Sequence, residues 1–115
     1  MANTEPDDRV ARLRKGVLEL AILALLDDAQ AYGGEIVEKL AARGSLAATA
    51  GTVYPLLTRL RKAGAVETTW EESPVGPPRK YYRLTSAGHA DLAAGARAWD
   101  GLATDMSALL NGTSR

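Results

Sequence analysis

Between Val53 and Leu84 the apolar side chains change their step from every third or fourth residue to every second, so the chain must pass there from helix into sheet. Val53, Leu56, Leu57 and Leu60 stand at i, i+3, i+4 and i+7, one inward stripe on a helix expected from about Ala50 to Ala63. Thr49 is its expected N-cap and Gly64 its stop. Pro55 lacks a backbone donor and is tolerated only in the first turns, where Gly51, four residues earlier, adds no side chain to the crowding. Next, Val66, Thr68 and Trp70 alternate with Glu67, Thr69 and Glu71, the pattern of a half-buried strand. Ser73-Pro74-Val75-Gly76-Pro77-Pro78 can be neither strand nor helix. Alternation then resumes from Arg79 to Leu84, with Lys80, Tyr82 and Leu84 on one side and Arg79, Tyr81 and Arg83 on the other. The two strands and their stiff turn make a hairpin.

The flanks are helical. From Arg9, Val10, Leu13, Val17, Leu20 and Ala24 recur at three- and four-residue steps, and Leu18, Leu25 and Leu26 widen the stripe up to Asp27-Asp28. A shorter helix is expected from about Tyr32 or Gly33 to Ala42, with Ile36, Val37 and Leu40 inward, Glu35, Glu38 and Lys39 outward, and Arg43-Gly44 closing it. After the hairpin, Thr85 or Ser86 caps a last helix reaching about Leu110. The expected architecture is mainly α with a small β-hairpin: a tail over 1–8, a winged helix-turn-helix domain over 9–85, a dimerisation helix over 86–110 and a flexible end over 111–115.

At 115 residues, 46% of them apolar, the chain suits one domain with one core. It has no cysteine, hence no disulfide framework or thiolate metal site. No apolar run is long enough to cross a bilayer, and Met1 to Asp8 is polar and acidic, unlike a signal peptide. A soluble cytoplasmic protein is expected. His89 is the only histidine, and Asp91, two residues on, points elsewhere on a helix. The adjacent acids Asp27-Asp28 and Glu71-Glu72 diverge, and Gly33-Gly34 is too short a pair to cradle phosphate and better suited to close helix approach. Nothing forms a nucleophile signature, a phosphate loop or a metal-ligand cluster. The expectation is no enzyme, no cofactor and no metal.

Lys plus Arg equals Asp plus Glu at 14 each, so only the distribution of charge is informative. Between Glu38 and Glu67 the chain holds Lys39, Arg43, Arg59, Arg61 and Lys62 and no acid, and Arg79, Lys80 and Arg83 follow in the second strand. Two short helices joined by a tight turn, the second polar and basic on its outer face, suit the major groove of duplex DNA, with the hairpin alongside as a wing. The competing reading is a winged-helix module that binds protein and no operator. In the last helix Leu92, Trp99 and Met106 are seven apart, with Leu102 and Leu109 three after the latter two and Gly95 as a small member. Such a seam needs a partner, and a second copy of the chain, joined also by Val10, Leu13 and Val17, is the expected one. Two reading helices would then lie about one DNA turn apart.

Tyr32-Gly33-Gly34-Glu35-Ile36, Gly51-Thr52-Val53-Tyr54-Pro55-Leu56-Leu57-Thr58-Arg59-Leu60, Gly64-Ala65-Val66 and Arg79-Lys80-Tyr81-Tyr82-Arg83-Leu84-Thr85-Ser86-Ala87-Gly88 together resemble the PadR family of bacterial transcriptional regulators. The resemblance runs from about Leu13 to Leu110, with Gly34 where the family pattern usually has an aromatic. It implies winged-helix homodimers on two-fold symmetric operators, mostly repressors. It also implies Thr52, Tyr54 and Arg59 toward the major groove, Lys62 on the backbone, and Arg79 and Lys80 as wing contacts. With Thr49 and Thr58 from the outer face of the same helix, these are the candidate DNA-binding residues. Trp99 has two readings. It is a core aromatic of the dimer interface, or it and its symmetry mate stack a planar aromatic small molecule, as some members of the family do with a tryptophan at this point.

Overall fold

The structure, a computed structural model, describes residues 8–112. In chain order they form α1 (Asp8–Arg14), α2 (Leu18–Asp28), β1 (Ala31–Tyr32), α3 (Gly33–Ala41), a 3-10 turn (Gly44–Leu46), α4 (Ala50–Lys62), β2 (Val66–Glu71), β3 (Arg79–Leu84) and α5 (Ser86–Leu110). The sheet is antiparallel in the order β1-β3-β2, with Ala31 opposite Tyr82 on one side of β3 and Thr68 opposite Tyr82 on the other. Winged-helix order is thus realised with one strand more than the expected hairpin.

Three further differences have local causes. The long helix expected from Arg9 breaks at Lys15-Gly16-Val17 into α1 and α2. Glycine in a helix interior costs about 1 kcal/mol relative to alanine, so the helix is weakest at Gly16, where the chain turns. Trp70, expected on a half-buried face, is 66% exposed, because β2 runs past the edge of the core. Asp8, assigned to the tail, opens α1, while the rest of that tail, 1–7, lies outside the described residues. At the other end Asn111-Gly112 form a turn, and 113–115 again lie outside them.

The core gathers one face from each element. Ile22, Ile36, Val53 and Leu57 are wholly buried, Leu40 nearly so, and Tyr82 and Leu84 close it from the sheet. In α4 the buried residues are Val53, Leu57 and Leu60, with Leu56 half-buried beside them. At about 1.5–3 kcal/mol for each buried aliphatic side chain, that single stripe anchors the helix from behind and leaves its other sides free. Pro55 does not interrupt α4, and exposed Gly51 leaves to solvent the carbonyl that Pro55 cannot satisfy.

The end of α4 and the start of α5 are tied by one small cluster. Gly64, at φ +81°, takes the left-handed conformation and lets the Ala65 amide donate to the Leu60 carbonyl at 3.0 Å, a Schellman closure. The Thr85 hydroxyl donates to the Gly64 carbonyl at 2.5 Å and accepts from the Gly88 amide at 3.0 Å, capping α5. Gly88 is buried, and a Cβ there would fall on the Ala65 carbonyl oxygen. The Leu84-Thr85-Ser86-Ala87-Gly88 run therefore serves as a joint between the reading helix and the last helix.

The first half of α5 packs on its own chain. Leu92 rests against the core, and Gly95 faces Leu20 of α2, whose Cδ1 would lie 2.6 Å from an added Cβ. Gly95, expected in an intermolecular seam, thus serves an intramolecular contact. Beyond it α5 runs outward, and the described residues measure 56 × 39 × 21 Å, elongated along one axis.

Candidate nucleic-acid interface

The outer side of α4 carries Thr52, Thr58, Arg59 and Lys62, all exposed, around a strip floored by Gly51 and Pro55. Thr49 holds the N-cap position in extended conformation, at φ −74° and ψ 161°, and its carbonyl accepts from the Thr52 and Val53 amides. Its hydroxyl meets that of Thr52 at 3.4 Å rather than capping a backbone amide, so both hydroxyls stay on the solvent side. Thr58 turns its hydroxyl onto the Tyr54 carbonyl at 3.2 Å, leaving its methyl outward.

Two of the expected reading residues are engaged by the protein. The Arg59 guanidinium reaches Glu19 of α2 at 3.5 Å, with the arginine side chain 69% and the glutamate 35% exposed. The Tyr54 ring lies across Gly33, where an added Cβ would meet its ring carbons. Gly33 therefore does let α3 and α4 approach, and Tyr54 keeps 45% of its surface exposed at that seam. Gly34, in place of an aromatic, lies beside the Tyr32 ring, whose Cε2 would be 3.2 Å from a Cβ there. Burial, and after it Tyr54, pushes the Tyr82 hydroxyl above its ordinary 10.0, with Arg61 acting the other way. Arg61, also exposed on α4, is a further cation of this helix.

Freeing Arg59 should favour a polyanion. Exposed ion pairs are worth about 0.2–1 kcal/mol, so Glu19→Gln is expected to tighten duplex binding by up to about fivefold. Fluorescence anisotropy at fixed salt measures this, and weaker binding by the variant would show that Glu19 orients Arg59 rather than competing for it.

The wing separates its two expected cations. Neighbours on a strand face opposite ways, so Lys80 shares a face with Trp70, Tyr82 and Thr68, whereas Arg79 shares the other with Tyr81, Arg83, Glu67 and Glu71. On that outer face Arg79 stacks over the Tyr32 ring at 4.4 Å, and Tyr32 meets Tyr81 edge-on at 5.6 Å. Arg83 pairs with Glu67 at 2.9 Å, and Gln30 donates to Glu71 at 2.7 Å. The Lys80 ammonium sits 5.9 Å from the Tyr82 ring centroid on the face continuous with the core.

The remaining candidates form a second region. Val10, Leu13 and Val17 face Trp99, Leu102, Met106 and Leu110 across an apolar groove of about 490 Å³ between α1 and α5. Leu13 is 79% exposed, Leu102 61% and Leu109 65%, while Leu92 is half-buried at the root of α5. Arg14 lines the same groove, with its Nε buried and without a hydrogen-bond partner. His89, expected as a surface residue, is exposed and pairs through Nδ1 with Asp27 at 3.3 Å. Among the described residues no His, Cys, Asp and Glu side chains cluster as metal ligands, and no helix is long and apolar enough to cross a membrane.

Comparison with known proteins places this geometry. The Transcriptional regulator PadR-like family matches residues 22–94, from the middle of α2 to the first turns of α5. The chain belongs to the PadR-like family. A PadR-like transcriptional regulator from Bacillus cereus is similar in structure at TM-score 0.79 and 36% identity, covering 86% of this chain and 96% of that one. A PadR family transcriptional regulator from Eggerthella lenta has TM-score 0.80 at 35% identity, over 90% of this chain and 89% of its own. A PadR-like transcription factor from Bacteroides fragilis has TM-score 0.71 at 39% identity, over 90% and 99%. This PadR-like chain is a winged-helix, DNA-binding transcriptional regulator and not an enzyme.

Proposed function

We propose that this PadR-like chain acts as a homodimeric repressor of two-fold symmetric operators. α4 enters the major groove: Thr52 and Arg59 read base edges, Tyr54 reaches them from the α3 seam, Thr49 and Lys62 hold the backbone, and Thr58, its hydroxyl kept on the Tyr54 carbonyl, offers its methyl to the groove. Lys80 and Arg79 grip the flanking backbone from the two faces of the wing. The observation that carries this reading is the one-sided burial of α4, with Val53, Leu57 and Leu60 inward and Thr52, Thr58, Arg59 and Lys62 left exposed.

Pairing through the far half of α5 and α1 accounts for Val10, Leu13, Val17, Trp99, Leu102, Met106 and Leu109, too much contiguous apolar surface for a solvated face. Leu92 supports that interface from the root of the helix. A second copy would also offer acceptors to the orphaned Arg14 Nε. Two chains then set two α4 helices about one helical turn apart on one duplex. Trp99, 47% exposed in the groove, and its symmetry mate would flank a slot for a planar aromatic compound, whose entry shifts the spacing of the α4 helices and releases DNA. Occupying the site is the simplest way for such a chain to repress.

The test uses a duplex selected from a random library by the purified protein. It is expected to bind two chains per site, to lose affinity steeply with added salt, and to be released by at least one compound from a planar aromatic panel, with concurrent Trp99 quenching. A protein-interaction module would select no duplex. One chain per site would remove the dimer, and a panel without effect on Trp99 would remove the ligand.

A further inference from the structure

The side of α2 turned away from the reading helix takes no part in the proposed duplex binding or pairing. Ala21, Ala24, Leu25 and Asp28 follow one another along it at three- and four-residue steps. At about 3.6 residues per turn their common direction is opposite that of Glu19, which meets Arg59 of α4. Facing them are Lys39, Ala42 and Arg43 at the end of α3 and Leu46 of the 3-10 turn. Between these elements the surface sinks into two adjoining chambers that share Ala24, Leu25 and Arg43.

The chambers differ in chemistry. The larger, about 450 Å³, has Lys39, Arg43 and Asp28 on its walls. The smaller, about 180 Å³, is walled by the aliphatic side chains of Ala21, Ala24, Leu25, Leu40 and Leu46, with Arg43 as its one polar residue.

We propose that this groove between α2 and α3 is a binding site for a small aliphatic carboxylic acid, its carboxylate on Arg43 and Lys39 and its chain in the smaller chamber. The site is independent of the reading of α4 and of the groove beside Trp99, with which it shares only Leu46.

Charge selects the head group. Among the described residues neither Lys39 nor Arg43 forms an ion pair, although Lys39 is half-buried, where a lone ammonium is costly. Asp28 on the facing wall balances one of the two cations at most, and Glu35, one turn before Lys39, accepts from the Tyr32 amide. One positive charge is left over. Lys39 and Arg43 are four residues apart, so both stand on the same side of α3. The planar fork of an arginine matches a carboxylate through two parallel N–H bonds.

Shape selects the tail. No aromatic ring lines either chamber, in contrast to the groove beside Trp99. At about 30 Å³ per methylene, close to the volume of a water molecule, the smaller chamber holds about six carbons. Ala21 and Ala24 leave that room, and a larger side chain at either position would close it. An acid of about eight carbons therefore spans the two chambers, with its first two carbons beside the cations.

Octanoate is the probe, titrated into the isotope-labelled full chain and followed by its amide resonances. Saturable shifts should gather at Ala24, Leu25, Lys39 and Arg43. From butanoate through hexanoate to octanoate, each added methylene should tighten binding about twofold to fourfold, and decanoate should gain little more. Octanol and octylammonium, equal in length, should bind at least about tenfold more weakly. Arg43→Glu should reverse that order in favour of octylammonium, a result that misfolding does not produce. Ala24→Phe should abolish binding of the acid, with its thermal melt as control, since Ala24 is exposed. Trp99→Phe should bind octanoate as the parent does. Shifts gathered at Val17, Trp99 and Met106, with affinity lost in Trp99→Phe, would move the acid to the other groove and overturn the proposal. Octanol binding as tightly as octanoate would overturn it too, because no anion is then recognised. No saturable shift with any of the acids ends it as well. None of these outcomes bears on duplex selection, which tests α4 by itself.

Discussion

Thr52→Ala combined with Arg59→Ala is expected to weaken binding to the selected operator by about 100-fold or more, because each base-edge contact is worth about 1–3 kcal/mol. Discrimination against a scrambled duplex should fall with it. Both side chains are exposed and neither enters the core, so the fold should survive, and Arg59 gives up only its exposed pairing with Glu19. The measurement is competition binding at fixed salt, with circular dichroism melts as the control. A double variant that kept affinity and selectivity would move the reading function away from α4. Loss of affinity with retained selectivity would reduce α4 to a backbone contact.

The second large effect is expected at the far half of α5. Leu102→Asp with Met106→Asp puts carboxylates into the proposed seam, where Leu102 is 61% and Met106 44% exposed in the single chain. Burying unpaired charge costs several kcal/mol, so association of the two chains should weaken by more than about 100-fold and the protein should sediment as a monomer. Helix content should persist, since Leu92 and Gly95 still hold the root of α5 to α2. A monomer meets only one half-site, so operator binding should collapse in parallel. Analytical ultracentrifugation checks the first expectation. A variant that sediments like the parent would show that this apolar surface is not where the copies meet.

The parts of the fold that were legible in the sequence are those whose signal is local. β2, β3 and α5 follow from the alternation at 66–71 and 79–84 and from the cap at Thr85, and the inward stripe of α4 follows from Val53, Leu57 and Leu60. The break at Gly16 was not legible, because the stripe from Val10 to Leu26 keeps its period across it and only the loss of helical hydrogen bonds reveals the turn. Two-residue β1 has no period to read and exists through its partners on β3. For the site, the heptad spacing of α5 identifies an apolar seam but not the chain that faces it, so Leu92 and Gly95 proved to face inward while Leu102 and Leu109 remain exposed. The seating of Tyr54 depends on Gly33 in another helix, and the pairing of Arg59 on Glu19 in a third, neither of which a linear pattern carries. Alternation did separate Arg79 from Lys80, and that separation is what isolates Trp70 on the cationic face of the wing.

Hydroxyl-radical footprinting of the selected operator addresses the whole arrangement at once. Two copies joined through α5, each with α4 in a major groove, should protect two symmetry-related stretches on one side of the duplex, their centres about 10 base pairs apart. A single protected stretch without symmetry, or guanines at the centres of those stretches whose major-groove N7 stays open to dimethyl sulfate in the complex, would contradict it.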